Sequence, residues 1–365
     1  MARKREDPGR SQGVQKSGTQ PRKAVTLKDL AKHLELSPAT VSVVLNRSPV
    51  ADSIPRETQD RVFAAARDMK YRPNHLARSL RSRRTHTIGV LVTEIVEPYA
   101  TGVLSGLESH LVQEGYFYLV ASHLTRDSLL EEYVELMKNR LVEGLVLIAT
   151  ELEEPPGLPT VSVSGHQPMA DVTNVLLDHD LAARLALEHL MNLGHERIAF
   201  FKGQDGNSDT ADRWRGIEES AHELGLEMRE DLCFQLEGDA AGSESRTAQA
   251  YRGGYDYARE LLDRGSDFTA LFAFNDVSAI GAMRAFVDDG LSVPRDISVV
   301  GFDDIMSAAF HNPGLTTVRQ PLAEMGATAG RILLDRLATQ KTYPDFVTVK
   351  PELIERGSTG PARQR

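Results

Sequence analysis

VTLKDLAKHLELSPATVSVVLN, residues Val25 to Asn46, carries two short amphipathic segments separated by a tight turn. In the first, Leu27, Leu30, Ala31 and Leu34 recur at the spacing that places side chains on one face of a helix. Leu36 closes the turn. Ser37 is positioned to cap a second helix, and Pro38 suits its first position, where no backbone N–H is needed. In that second helix Val41, Val44 and Leu45 face inward, leaving Ala39, Thr40, Ser42 and Val43 to point elsewhere. Helices this short are marginal in water, so the outward side chains imply a partner. The outline is a helix-turn-helix, whose second helix fits the DNA major groove with its N-terminal residues on base edges.

The charge distribution points the same way once the chain is divided. Across 365 residues the formal net charge is −10, which taken alone argues against nucleic acid. The first 86 residues, however, hold 19 Lys and Arg against 8 Asp and Glu, and the remainder 23 against 44. A basic head on an acidic body suits DNA binding by the head only; a solvated lysine-rich tail is the bland alternative.

Other classes are bounded by composition. No apolar run approaches the ~20 residues that span a bilayer, and the basic N-terminus has no apolar segment behind it, so neither a membrane span nor a signal peptide is expected. One cysteine, Cys233, fits a reducing cytoplasm. Flanked by Leu232 and Phe234, it reads as a small core residue or, less simply, as a reactive thiol. Glu94, His123, His166, His179, His195 and His311 are scattered. No nucleophile–base spacing, phosphate-binding glycine loop or Cys/His set with metal-ligand spacing is found. The chain is therefore read as a non-enzyme with no catalytic residue, cofactor or metal.

The head continues through Thr58–Met69, where Val62, Ala65, Ala66 and Met69 share one helical face, after a loop at 47–55. In YRPNHLARSLRSRRTHT, Tyr71–Thr87, a short helix can start at Pro73 and Asn74 with Leu76, Ala77 and Leu80 on one side and Arg78 and Arg81 on the other. A segment so cationic reads as one that folds on DNA, with arginines at phosphates and an apolar side chain wedged into the minor groove; a flexible linker is the alternative.

Beyond Thr87 apolar strands alternate with helices, beginning with Ile88–Thr93 (IGVLVT), with a loop expected between strand Thr160–Ser164 and helix Leu181–Leu193 and a helix expected over Tyr255–Arg264. Such alternation means an α/β fold of two doubly wound parallel sheets with helices on both faces. Ligands bind such sheets at the carboxyl ends of strands, which singles out Glu94, Gly165, Gly203, Asn275 and Asp303.

These motifs, together with LGHERIAF, FAFNDVSAIGAMRA, VPRDISVVGFDD and LTTVRQPLAEMG, resemble the LacI/GalR (lactose/galactose repressor) family in order and spacing from about Val25 to Arg356. The resemblance implies a cytoplasmic, dimeric, ligand-controlled repressor with a periplasmic-binding-protein-like core. It divides the chain into a disordered basic tail (1–24), a helix-turn-helix domain (25–72), a hinge (73–86), an N-subdomain (87–177 and 322–350), a C-subdomain (178–321 and 351–357) and a short tail (358–365). The expected crossings between subdomains lie near Leu177–Asp178, Pro321–Leu322 and Lys350–Pro351.

Carried over by position, the resemblance assigns phosphate contacts to Thr26, Leu27 and Asn46, and the recognition surface to Ser37, Pro38, Ala39, Thr40 and Ser42. Leu80 takes the place of the leucine inserted between base pairs, with Ala77 its minor-groove neighbour. Val43 departs from the pattern: relatives often have an arginine there that can pair with guanine, whereas valine offers only apolar contact. In the core, Arg213, Asn275 and Asp303 match recurrent effector contacts; a guanidinium and a carboxylate can fork onto vicinal hydroxyls, which suggests a sugar or sugar-like effector. Asn275 and Asp303 can also be simple caps. Tyr99, in Glu97-Pro98-Tyr99, is placed either to stack on a ring or to pack. Gln320 falls in a crossover segment and is expected to link effector and DNA sites. The Asp239–Ala250 insertion obscures a further aromatic contact, for which Tyr251 is a weak candidate. The expected partners are thus operator DNA, a small-molecule effector and a second copy of the chain, with no membrane. A sugar-binding protein or an enzyme on the same scaffold is the alternative.

Overall fold

The computed structural model describes residues 25–46, 48–71, 84–204, 207–237 and 245–363. The chain separates into two compact units that part between Arg83 and Arg84.

In the first unit, helices α1 (Leu27–Leu34), α2 (Pro38–Leu45) and α3 (Arg56–Asp68) enclose a small core. Leu30, Val41 and Val62 are fully buried at its centre, with Ala31, Leu34, Val44 and Ala65 around them. Thr26 and Asp29 start α1 with a reciprocal cap: the Asp29 N–H donates to Thr26 Oγ1 at 3.3 Å and the Thr26 N–H to Asp29 Oδ2 at 2.9 Å. Glu35 ends it in the left-handed region, φ +55°. The expected loop after α2 contains one 3-10 turn, Pro49–Ser53, and the Gln59 amide donates to the carbonyls of Ala51 and Ile54 at 2.9 Å each.

The second unit contains two six-stranded sheets. The first comprises β1 (Thr87–Val92), β2 (Phe117–Ser122), β3 (Gly144–Ile148), β4 (Thr160–Val163), β5 (Val172–Leu177) and β11 (Phe346–Val349), ordered β11-β5-β4-β3-β1-β2 and parallel throughout. The second comprises β6 (Ile198–Lys202), β7 (Cys233–Gln235), β8 (Ala270–Phe272), β9 (Ser298–Asp303), β10 (Thr316–Arg319) and β12 (Glu352–Ile354). Its order is β12-β10-β9-β8-β6-β7, with only β12 antiparallel. The chain passes from one sheet to the other after Leu177, after Arg319 and between Val349 and Glu352. Helices α4 (Pro98–Gln113), α5 (Asp127–Asn139) and α11 (Leu322–Thr339) serve the first sheet; α6 (His179–Asn192), α7 (Asp209–Leu224), α8 (Arg246–Asp263), α9 (Asp276–Asp288) and the short α10 (Met306–Phe310) belong to the second half.

Two elements depart from the sequence reading, and a third had no element assigned to it. Val172–Leu177 (VTNVLL), expected as loop, is a strand: Thr173 and Asn174 interrupt its apolar run but are both buried, and Thr173 Oγ1 donates to the Pro344 carbonyl at 2.8 Å. Leu322–Thr339 is a long helix despite Gly326 and Gly330, which lower helix propensity. The end of the Asp239–Ala250 insertion is helical, because α8 starts at Arg246 and not near Tyr255. Among the described residues no helix is long and apolar enough to cross a membrane.

Candidate functional site

The head presents the N-terminal end of α2. Ser37 Oγ accepts the Thr40 N–H at 3.0 Å, which fixes the start of the helix and leaves Ser37, Pro38 and Ala39 exposed and Thr40 and Val43 half-exposed. Ser42 departs from the outward orientation expected of it. It is 9% exposed, and the Asn46 amide reaches back to its carbonyl at 2.7 Å and its hydroxyl at 3.2 Å. Asn46 is exposed as the α2 C-cap, Thr26 is exposed in its cap, and Leu27 leans on the head core. Ala77 and Leu80 lie outside the described residues.

In the core, the carboxyl ends of the parallel strands of both sheets converge. A cavity lies among Glu97, Tyr99, Gln204, Asn207, Arg246, Phe274, Asn275 and Asp303. Tyr99 is 7% exposed and its hydroxyl is 2.5 Å from Ser164 Oγ, so the ring both packs and borders the cavity. Asn275 caps α9 through its Oδ1, which accepts the Ser278 N–H at 2.9 Å, and lines the cavity as well. Asp303 is not a cap. The turn after β9 is held by Asp276, which accepts the Ile305 N–H at 2.8 Å, while Asp304 pairs with Arg319 and Arg356. Asp303 itself accepts from Gln320 Nε2 at 2.7 Å. Its φ of +107° is rare for a residue with a side chain, a strain typical of functional turns.

Arg213 stands behind the cavity wall and not along it. Its guanidinium lies 3.7 Å over the Phe302 ring and 4.4 Å from that of Phe274, donates to the Phe274 carbonyl at 2.5 Å and sits 3.5 Å from Asp209 Oδ2. Among the described residues its buried Nε has no hydrogen-bond partner, nor does Gln320 Oε1. Tyr251, the weak aromatic candidate, packs against the core of the second half and does not line the cavity.

Burial governs the electrostatics. It lifts the Asp303 carboxyl to about 7, against the pull of Arg213 and of the Gln320 hydrogen bond. Burial also raises Glu97, with Arg246 opposing, and raises Tyr99 well above its ordinary value. The wall therefore sets buried carboxyls with raised pKa values beside Arg246 and the Asn275 amide, a surface suited to hydroxyl and amide groups.

Several cavity residues escaped the sequence reading. Gln204, Asn207 and Arg246 lie in loops or at a helix start, where no periodicity marks them. Arg246 belongs to the insertion, and its backbone N–H meets both Glu94 carboxylate oxygens at 3.1 Å, so a side chain following β1 caps a helix of the other half. The histidines read as scattered are partly gathered. His166 follows β4, and its Nε2 lies 2.7 Å from Asp209 Oδ1 and its Nδ1 2.5 Å from Asp212 Oδ2; His179 Nε2 is 3.4 Å from Asp209 Oδ1. Burial works against charge on His166, but the Asp209 bond and the two carboxylates outweigh it and hold its pKa above the usual value. His195 is structural, held between Thr269 Oγ1 at 2.9 Å, Ser298 Oγ at 3.0 Å and the Gly360 carbonyl at 3.0 Å.

Comparison with known proteins matches both units. Residues 26–74 match the family described as bacterial regulatory proteins, lacI family, and residues 187–359 a periplasmic binding protein-like domain. The HTH-type transcriptional repressor PurR of Erwinia tasmaniensis is 32% identical over 350 residues, covering 93% of this chain and 98% of the relative. PurR of Yersinia pestis is 31% identical over 349 residues, with the same coverage. Among solved structures, the lac repressor dimer bound to operator and the anti-inducer ONPF aligns at TM-score 0.80 and 26% identity, covering 93% of this chain and 100% of that one. The transcriptional regulator CelR in complex with cellobiose aligns at TM-score 0.66 and 28% identity, covering 92% and 99%. A helix-turn-helix head, a two-sheet core with a polar cavity between the sheets, and full-length similarity to these repressors establish that this chain belongs to the LacI family of DNA-binding transcriptional regulators.

Proposed function

We propose that the protein is a cytoplasmic repressor that binds a pseudo-palindromic operator as a homodimer, and that a sugar or sugar-like effector in the core cavity sets its affinity for DNA. The observation that carries this reading is the pairing, in one chain, of an exposed α2 N-terminus with a cavity bordered by Tyr99, Asn275 and Asp303. On this reading Ser37, Pro38, Ala39 and Thr40 meet base edges or phosphates, Thr26, Leu27 and Asn46 phosphates, and Val43 a thymine methyl. Ala77 and Leu80 enter the minor groove between the half-sites. Ser42 supports the surface by holding Asn46. Asn275 and Asp303 grip hydroxyls, Arg213 stiffens the wall behind them, and Gln320 ties Asp303 to a segment joining the two halves. No catalytic role is proposed for any of these groups.

The test is binding of the full chain to DNA from upstream of its own gene, measured by fluorescence anisotropy across a salt series with and without candidate sugars. Phosphate contacts release counterions, so affinity should fall steeply with salt, by about 10³-fold or more between 50 and 200 mM for six or more contacts. A flat salt response would remove the DNA role. A response to no member of a broad sugar and metabolite set would remove the effector class.

A further inference from the structure

His166, His179 and Asp209 come from three separate segments and meet where the two halves of the core face each other. His166 follows β4 of the first half, while His179 opens α6 and Asp209 opens α7 of the second. One nitrogen from each ring and one carboxylate oxygen all fall within 4.8 Å of one another. The three side chains are 10%, 4% and 8% exposed. Among the described residues neither ring nitrogen of His179 makes a hydrogen bond, Nε2 coming only within 3.4 Å of Asp209 Oδ1, a costly condition for a buried polar group unless something else satisfies it.

We propose that His166, His179 and Asp209 bind one divalent transition-metal ion of the zinc or cobalt type, which ties the two halves of the core together. Two imidazoles and a carboxylate are the nitrogen and oxygen donors such ions take, leaving a fourth position open. The surrounding shell fits. Asp212 Oδ2, 2.5 Å from His166 Nδ1, accepts the proton on the ring's far side, as a carboxylate does for a metal-bound histidine. Asp209 Oδ2 is turned toward Arg213 at 3.5 Å, leaving Oδ1 for the ion. Bonds of about 2.1 Å separate tetrahedral ligand atoms by about 3.4 Å. The His179–Asp209 pair already has this spacing at 3.4 Å, and the His166–Asp209 pair must open from 2.7 Å. Asp209 and Asp212 face the site, and Arg213 and Arg215 approach their outer oxygens. Without an ion, His166 bridges the Asp209 and Asp212 carboxylates. On binding, the Nε2 lone pair goes to the ion, and any proton Nε2 carries leaves to solvent.

The experiment is titration of chelator-treated full-length protein with Co²⁺, read by visible absorption, and with Zn²⁺, read calorimetrically in two buffers of different ionisation enthalpy. No DNA or sugar is involved, so the outcome is independent of the function proposed above. One ion per chain should bind in both buffers. His179→Ala and Asp209→Asn should each lower affinity at least 10-fold, Asp212→Asn should lower it about 10-fold through His166, and His222→Ala, on the exposed end of α7, should leave it unchanged. Circular dichroism of each variant separates loss of the site from loss of the fold; if His179→Ala does not fold, His166→Gln carries the same expectation. Absence of stoichiometric binding overturns the proposal. So does binding that survives substitution of all three ligands, which would locate the ion elsewhere.

Discussion

Asp303 concentrates the physical tension of the cavity in one residue. It is 7% exposed, held at φ +107° and accepts a side-chain hydrogen bond from Gln320. Its carboxyl titrates at about 7, against 3.8 for an ordinary aspartate. The folded protein thus keeps a proton that the unfolded chain releases, so stability falls as pH rises from about 4 to 7 and levels off above that. The ceiling on this loss is about 4 kcal/mol at about 1.4 kcal/mol per pH unit. Asp303→Asn removes the titration. Relative to the parent, the variant should gain stability by a few kcal/mol between pH 4.5 and pH 8, measured by urea unfolding at both pH values. A difference that does not change with pH would refute the assignment. Effector affinity should fall in the same variant, because a neutral amide replaces an acceptor for hydroxyls. None of this was legible in the sequence: the motif FDD marks Asp303 as interesting, but its pKa depends on burial that the motif cannot specify.

Among elements, the helix pairs α4–α11 and α8–α9 obey the same rule on opposite halves of the core. A Cβ on Gly106 would overlap the Ala323 carbonyl, and one on Gly326 the Val103 carbonyl; Gly254 and Gly281 stand likewise against the carbonyls of Ser278 and Tyr251. Backbone meets backbone, so no rotamer change can relieve an added methyl. Gly326→Ala should cost about 1–3 kcal/mol or more by overpacking, despite the gain of up to about 1 kcal/mol in helix propensity. A thermal melt that shows no destabilisation would sink this account of the α4–α11 contact. The same glycines weaken the local case for α11: propensity argues against a helix that only its neighbour justifies. The three helices of the head were legible, since their apolar spacing is local and Leu30, Val41 and Val62 occupy the core it implies. Ser42 was not, because its burial follows from the angle between packed helices.

For the core as a whole, Glu94 and His166 bridge the two halves, Glu94 through the α8 backbone and His166 through Asp209 and Asp212. A carboxylate at a helix N-terminus contributes about 0.3–1 kcal/mol, rising to about 2 when partly buried. Glu94→Gln should therefore shift the core toward a more open arrangement, raising the radius of gyration seen by small-angle scattering without effector and weakening effector binding several-fold. An unchanged scattering profile together with unchanged affinity would remove Glu94 from that role.

The sequence by itself determined the class of fold and the character of the head. Helical periodicity, caps and strand–helix alternation are local patterns, and the charge imbalance is carried by composition. Tertiary structure alone decided the wall of the cavity. Arg213 stands behind it, Arg246 enters it from an insertion, and His166, His179 and Asp209 meet across tens of residues of chain. Spacing along a sequence sets which residues share a helix face or a strand. Which of them meet across a cleft depends on how two sheets are placed by three crossings of the chain, and that placement is a property of the packed whole.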